Sequence, residues 1–174
     1  MAGATEGCCC LCINCHCFFR VAFNNSLGVP DHILLKPGLL TSEEFEEIKK
    51  HTQYGKRVID AAQAKLGKTS FLMFAGKMAV SHHEHWDGKG YPYGLKGEEI
   101  PLCGRIMAIA DVYDALISGR PYKEGIAHEK AVEIILSGRG SQFDPQLIDA
   151  FGEMQASFQA IAEQFADGSC SELR

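Results

Sequence analysis

The chain has 174 residues, of which 46% are hydrophobic and 22% charged, with a formal net charge of −5. That length suits one domain with at most a small appendage, and that composition excludes a largely disordered or fibrous chain. The acidic balance argues against a broad surface for a nucleic-acid polymer, although a few local cations suffice for a small anionic ligand. Of eight cysteines, Cys8, Cys9, Cys10, Cys12, Cys15 and Cys17 crowd into one short run; only Cys103 and Cys170 fall elsewhere. A disulfide scaffold spreads its cysteines to close loops, so that class is excluded for the body of the chain.

The run from Cys8 to Phe23 is apolar, with Arg20 its single formal charge. It is short for a membrane-spanning helix. Glu6 stands where a secretory signal carries basic residues, and no A-x-A site follows. Cys12-Ile13-Asn14-Cys15-His16 matches the C-x-x-C-H pattern of haem c attachment. Cys12, Cys15, His16 and Cys17 could instead hold zinc. Haem attachment goes with export, and a closed zinc site draws on two separated pairs; neither condition is met. Residues 1–25 are expected to be a leader outside the fold.

From Gly28 the texture changes. Gly28-Val29-Pro30-Asp31 and Lys36-Pro37-Gly38 are turn punctuation. Thr41-Ser42-Glu43-Glu44 is a capping box, and Phe45, Ile48, Thr52, Val58, Ile59 and Ala62 continue one apolar helical face. A second helix is predicted from about Ser70 to His85, stopped by the Gly- and Pro-rich run from Asp87 to Gly94. Pro101 suits the first turn of a third helix, with Ile106, Ile109, Val112, Tyr113 and Leu116 as its buried stripe. Gly119-Arg120-Pro121 ends it. A fourth helix covers about Ala127 to Leu136. Asp144-Pro145, an N-cap followed by Pro at the first helical position, opens a fifth that runs through Phe151 toward Phe165. No segment alternates as a strand does, so the fold class is all-α. The expected body is residues 26–153, with a helical extension and tail over 154–174.

Polar residues in apolar places mark the chemistry. His82 and His83 sit near the end of an apolar helix, and adjacent helical side chains reach one site only where the helix end faces it. His51 follows Ile48 by three residues, and Asp111 is embedded in Ile109-Ala110-Asp111-Val112-Tyr113. A buried carboxylate is costly unless paired or bound to a cation. Two readings stand side by side: a metal constellation of His51, His82, His83 and Asp111, suited to a first-row transition metal, or four groups each hydrogen-bonded in place. Arg120 and Lys123, just past the helix of Asp111, suit a phosphate ester if a metal is near, and a solvated helix end if not. Glu84, His85, Asp87 and Lys89 read as polar rim, His32 and His128 as surface, and Trp86 as packing.

The run His82-His83-Glu84-His85-Trp86-Asp87-Gly88-Lys89-Gly90-Tyr91-Pro92 resembles the signature of the HD-GYP domain, within the HD superfamily of metal-dependent phosphohydrolases. The likeness continues through Leu95-Lys96-Gly97-Glu98-Glu99-Ile100-Pro101, Ile109 to Leu116, Arg120-Pro121-Tyr122-Lys123 and Gln142-Phe143-Asp144-Pro145. Upstream it takes in Val29 to Thr41, so that it covers residues 28–153. It implies a helical bundle of the HD-domain phosphodiesterase type, bacterial and cytoplasmic, that hydrolyses cyclic di-GMP to a linear dinucleotide or GMP. It implies a divalent transition metal, iron or manganese, on His51, His82, His83 and Asp111. It gives Arg120 and Lys123 the substrate phosphates. Gly90, Tyr91 and Pro92 become the loop that handles substrate and meets diguanylate cyclase (GGDEF) domains. No membrane span is expected. The stretch from Ala64 to Thr69 looks like a small insertion.

One part of the family pattern departs. Ungapped alignment puts the superfamily's His-Asp doublet at Ala22-Phe23, and its following Lys at Ser26. The family's Asp there bridges two metals, so the expectation is a site impaired for catalysis, with three histidines left to hold one ion. The alternative function is a non-catalytic module that binds nucleotide or a cyclase. The helices that precede the doublet in many members are also missing, so the bundle is expected to be incomplete at its N-terminus. That leaves an apolar face open and favours a homo-oligomer.

Overall fold

The computed structural model describes residues 29–166, except 35, 37, 39, 68 and 119–124. The leader, Arg120 and Lys123 therefore lie outside the described residues. Among the described residues seven helices stand in chain order: α1 (Asp31–Leu34), α2 (Ser42–Lys49), α3 (His51–Leu66), α4 (Ser70–Ser81), α5 (Leu102–Ile117), α6 (His128–Ser137) and α7 (Pro145–Ala166). A 3-10 turn, Gly97–Glu99, precedes α5. No strand occurs among the described residues, and the all-α expectation holds.

Each helix packs on the next in sequence from α2 to α7, and α7 returns to α5. Helix α5 is the shared wall. On one side Ala108, Ile109 and Tyr113 meet Ala131, Val132 and Ile135 of α6 and Phe143, Ile148 and Phe151. On the other, Met107 meets Ile59 of α3 and Ala79 of α4. Helices α4 and α5 approach closely because residue 104 is glycine: a Cβ there would lie 2.0 Å from Ser81 Oγ.

The capping box at α2 forms as expected. Thr41 Oγ1 accepts from Glu44 N at 3.2 Å, and Thr41 N donates to Glu44 Oε2 at 2.7 Å. The single helix expected beyond it is two. His51 Nδ1 donates to Ile48 O at 2.7 Å, and Thr52 Oγ1 donates to Lys49 O at 2.9 Å. Side chains thus occupy two carbonyls at the junction, and Lys50 both ends α2 and begins α3. Within the stretch read as an insertion, Ala64 to Leu66 end α3 and Gly67 takes a positive φ of 85°. Helix α4 stops four residues before the expected His85, with His82 as its C-cap. Pro101 is the N-cap of α5 rather than its first helical residue.

The predicted stripe on α5 needs one correction: Ile109 and Tyr113 are buried, but Ile106 is exposed. Leu66, Phe71, Met73, Phe74 and Leu102 are exposed as well, so α4 and the start of α5 keep apolar side chains in contact with solvent. No helix among the described residues is long and apolar enough to cross a membrane.

Candidate metal centre and its loop

Three imidazoles meet where α3 begins and α4 ends. His51, His82 and His83 can each offer one ligand atom, all within 4.8 Å of one another. The early end of α4 is what lets both adjacent histidines take part. His82 is the cap, His83 lies beyond the helix, and their ring centroids are 4.1 Å apart. His51 arrives at the first position of α3, its ring centroid 5.5 Å from that of His82 and 5.0 Å from that of His83.

Backbone carbonyls fix two of the tautomers. His51 Nδ1 donates to Ile48 O at 2.7 Å, and His82 Nδ1 donates to Met78 O at 3.0 Å. Each neutral ring then carries its lone pair on Nε2, and the two Nε2 atoms face each other at 3.4 Å. Two acceptors turned toward one another repel unless a cation is shared between them. A ligating histidine typically donates its other ring N–H to a carbonyl or carboxylate in this way. Burial lowers the pKa of His82 to about 4, and burial with the neighbouring imidazoles lowers that of His83 further. His51 is lowered mainly by burial. All three are therefore neutral at pH 7, the form that binds a metal. The donor set fits a first-row transition ion.

Asp111 lies outside that tight trio, but its charge reaches it. The carboxylate raises the His51 pKa against the effect of burial. It also adds to the burial that holds the Tyr91 hydroxyl above its ordinary range. Asp111, on α5, thus acts on His51 and Tyr91 through its charge.

The Gly90-Tyr91-Pro92 loop folds back over the same spot. Tyr91 N donates to His83 O at 3.1 Å. Its ring stacks on the His83 imidazole with centroids 4.7 Å apart. The Tyr91–Pro92 peptide is cis. Gly90 is required for so close a pass, since a Cβ there would lie 2.3 Å from His85 N and 2.5 Å from His83 O. On the outer side, Phe45 meets Tyr91 edge-on at 6.3 Å, and Lys49 Nζ sits 4.8 Å from the Phe45 centroid and 5.6 Å from that of Tyr91.

The loop is moored to the far end of the bundle. Trp86 N donates to Gln142 O, and Asp87 N to Ser141 O. Arg105 Nη1 donates to the buried Asp144 Oδ2 at 2.7 Å, while its guanidinium lies over the Trp86 ring at 5.7 Å. The other Asp144 oxygen accepts from Gln146 N at 2.9 Å and caps α7.

Sequence reasoning missed three residues. Glu84 is not rim: it is 2% exposed and accepts from Tyr93 N and Leu95 N. The signal was its place between a buried helix end and a loop full of amides that need acceptors. Phe45 read as part of an apolar stripe and Lys49 drew no reading; only the fold brings them to Tyr91.

The HD domain family matches residues 20–147. The chain belongs to that family. It is of HD-GYP type, carrying the run from His82 to Pro92 and similar to curated cyclic di-GMP phosphodiesterases. One of these, from Vibrio cholerae, is 51% identical over 143 residues, 82% of this chain and 29% of that protein. Another, from Thermotoga maritima, is 41% identical over 145 residues, 83% and 38% respectively. A 3'3'-cGAMP-specific phosphodiesterase of Vibrio cholerae is 38% identical over 141 residues, 81% and 26%. This HD-GYP-type chain thus spans about a third of the length of the curated relatives it matches.

Proposed function

We propose that this chain is the HD-GYP unit of a bacterial, cytoplasmic cyclic di-GMP phosphodiesterase. The observation that carries the reading is the meeting of three neutral imidazoles, two of them with Nε2 lone pairs face to face. His51, His82 and His83 are the proposed metal ligands, with Asp111 completing the set as its carboxylate. A bound iron or manganese ion would supply Lewis-acid activation of the phosphodiester and of the attacking water. The chain's own residues do the rest. Ile48 O and Met78 O hold His51 and His82 in the ligating tautomer. Gly90, Tyr91 and Pro92 form the wall of the substrate site on the His83 side. Arg120 and Lys123, past the end of α5, take the phosphate charges, since charge-assisted bonds are the strong ones. The named activities of the relatives support a cyclic dinucleotide as substrate.

Residues 26–153 are the proposed functional unit, with 154–174 an extension. The same loop is the proposed contact for diguanylate cyclase (GGDEF) domains, and the exposed apolar side chains of α4 the proposed homo-oligomer contact. Ala22 and Phe23, aligned with the family's doublet, favour weak turnover and keep a second reading open, a non-catalytic nucleotide- or cyclase-binding module. The test is the full chain loaded with Mn²⁺ or Fe²⁺ and incubated with cyclic di-GMP, products being separated by chromatography. Linear dinucleotide or GMP that disappears in His82→Ala and His83→Ala supports the enzyme. Tight binding without turnover supports the module, and neither binding nor turnover overturns both.

A further inference from the structure

Glu84 stands directly after the two histidines, yet its carboxylate points away from solvent and is 2% exposed. A buried carboxylate is costly unless each oxygen is hydrogen-bonded. Here one oxygen accepts from Tyr93 N at 2.7 Å and the other from Leu95 N at 3.0 Å. Both donors belong to the returning limb of the loop, just past Tyr91 and Pro92. The outgoing limb is held by the same short segment. Gly90 packs on the Glu84 Cα and Tyr91 N donates to His83 O. The loop is therefore closed into a ring around residues 83–84, and Tyr91 is the part of that ring pressed against His83.

Only a carboxylate does this well. It offers two separate acceptor oxygens and no donor, whereas a glutamine of the same shape must turn an NH₂ toward one of the two amides. The hydrogen bonds of the Glu84 carboxylate run to the loop and to no core helix, so their loss should act locally.

We propose that Glu84 is a positioning residue: its carboxylate braces the returning limb of the loop and so sets Tyr91 against His83 for binding of the cyclic dinucleotide. The dinucleotide part rests on the functional reading above; the brace itself rests on geometry alone.

The test uses the full chain and the variants Glu84→Gln and Glu84→Ala. Amide hydrogen exchange is followed by NMR, and Co²⁺ affinity by its visible spectrum. Cyclic di-GMP affinity is measured by equilibrium binding in Mn²⁺. Both the Tyr93 and Leu95 amides should exchange at least tenfold faster in Glu84→Ala and at least one of them in Glu84→Gln, while amides of α3 and α5 keep their rates. Cyclic di-GMP binding should weaken at least tenfold, more in Glu84→Ala, with Co²⁺ affinity within threefold of the parent. Unchanged exchange at Tyr93 and Leu95 in Glu84→Gln overturns the brace. Exchange and Co²⁺ affinity that change throughout the bundle in step with dinucleotide affinity overturn it too, because the residue would then merely hold the fold. A parent chain that binds no cyclic di-GMP overturns the functional reading instead, and the exchange result still decides the brace.

Discussion

The imidazole of His83 and the phenol ring of Tyr91 lie stacked, their centroids 4.7 Å apart and their planes 25° from parallel. The loop residue therefore touches the histidine cluster itself. Such ring pairs contribute about 0.5–1.5 kcal/mol beyond the area they bury. Tyr91→Phe keeps the stack and should leave Co²⁺ affinity within twofold. Tyr91→Leu removes it and should weaken Co²⁺ binding by roughly two- to tenfold, the same energy expressed as an equilibrium. Equal affinities for the two variants, measured by Co²⁺ titration, would show that the ring contact does not steady His83.

The face-to-face Nε2 atoms of His51 and His82 predict metal-linked stability. A ligand that binds only the folded chain, present at 100 times its dissociation constant, adds about 2.7 kcal/mol. Mn²⁺ or Co²⁺ should raise the urea midpoint of the chelator-treated chain accordingly. His51→Ala and His82→Ala should lose most of that gain. A metal increment that survives both substitutions would move the site elsewhere.

The same histidines predict how the metal-free chain responds to acid. Burial lowers the folded pKa of His82 from 6.5 to about 4, and the pKa values of His51 and His83 are lowered too. The unfolded chain then binds more protons than the folded one between those values, so stability rises with pH there. It is fully present above about 6.5 and is lost as pH falls toward 4; His82 alone contributes about 3 kcal/mol, at 1.36 kcal/mol per pH unit. Hydrogen bonds lower the carboxyl groups of Glu43, Glu44, Asp87 and Asp149. Urea titrations at pH 7.5, 6 and 4.5 should show the fall, and a flat profile would contradict the neutral-imidazole cluster.

Arg105 and Asp144 join the start of α5 to the start of α7 across 39 positions of sequence, with Asp144 buried. Removing one partner of a buried pair leaves the other charge uncompensated and costs about 3–5 kcal/mol. Asp144→Ala also uncaps α7, a further loss of about 1 kcal/mol. The variant should melt well below the parent, and Arg105→Met, which leaves Asp144 its Gln146 amide, should lose less. The fluorescence of Trp86, the chain's single tryptophan, should shift in both, because Arg105 lies over its ring.

The helices and the three histidines were legible because both are written in local pattern. Apolar spacing marks α4 and α5, and a Gly- and Pro-rich run marks where α4 must stop. Bonds from side chains to particular backbone groups were not legible. The break at Lys50 arises because the side chains of His51 and Thr52 bond back to Ile48 O and Lys49 O, which no periodicity records. Glu84 looked like rim because a charged residue beside a polar loop usually is; its acceptors are used up by amides nine and eleven residues later. Ile106 carries the right residue type at the right spacing, yet stands exposed.

Two glycine positions give opposite forecasts for the same substitution. In Gly90→Ala the new Cβ would fall 2.3–2.5 Å from backbone atoms of His83, Glu84 and His85, none of which can swing aside as a flexible side chain does. The loop must lift, and Tyr91 leaves His83 with it. Trypsin should then cut after Lys89 faster than in the parent, and dinucleotide binding should fall. In Gly152→Ala the new Cβ meets only Leu136 Cδ2, at 3.8 Å, in the body of α7. The alanine adds ordinary contact and removes the flexibility of glycine from a helix, a gain of about 0.4–1 kcal/mol. Its urea midpoint should rise while cleavage after Lys89 stays at the parent rate. If Gly90→Ala behaved like Gly152→Ala, the loop would not be lying against the histidine turn, and the stacking of Tyr91 on His83 would fall with it.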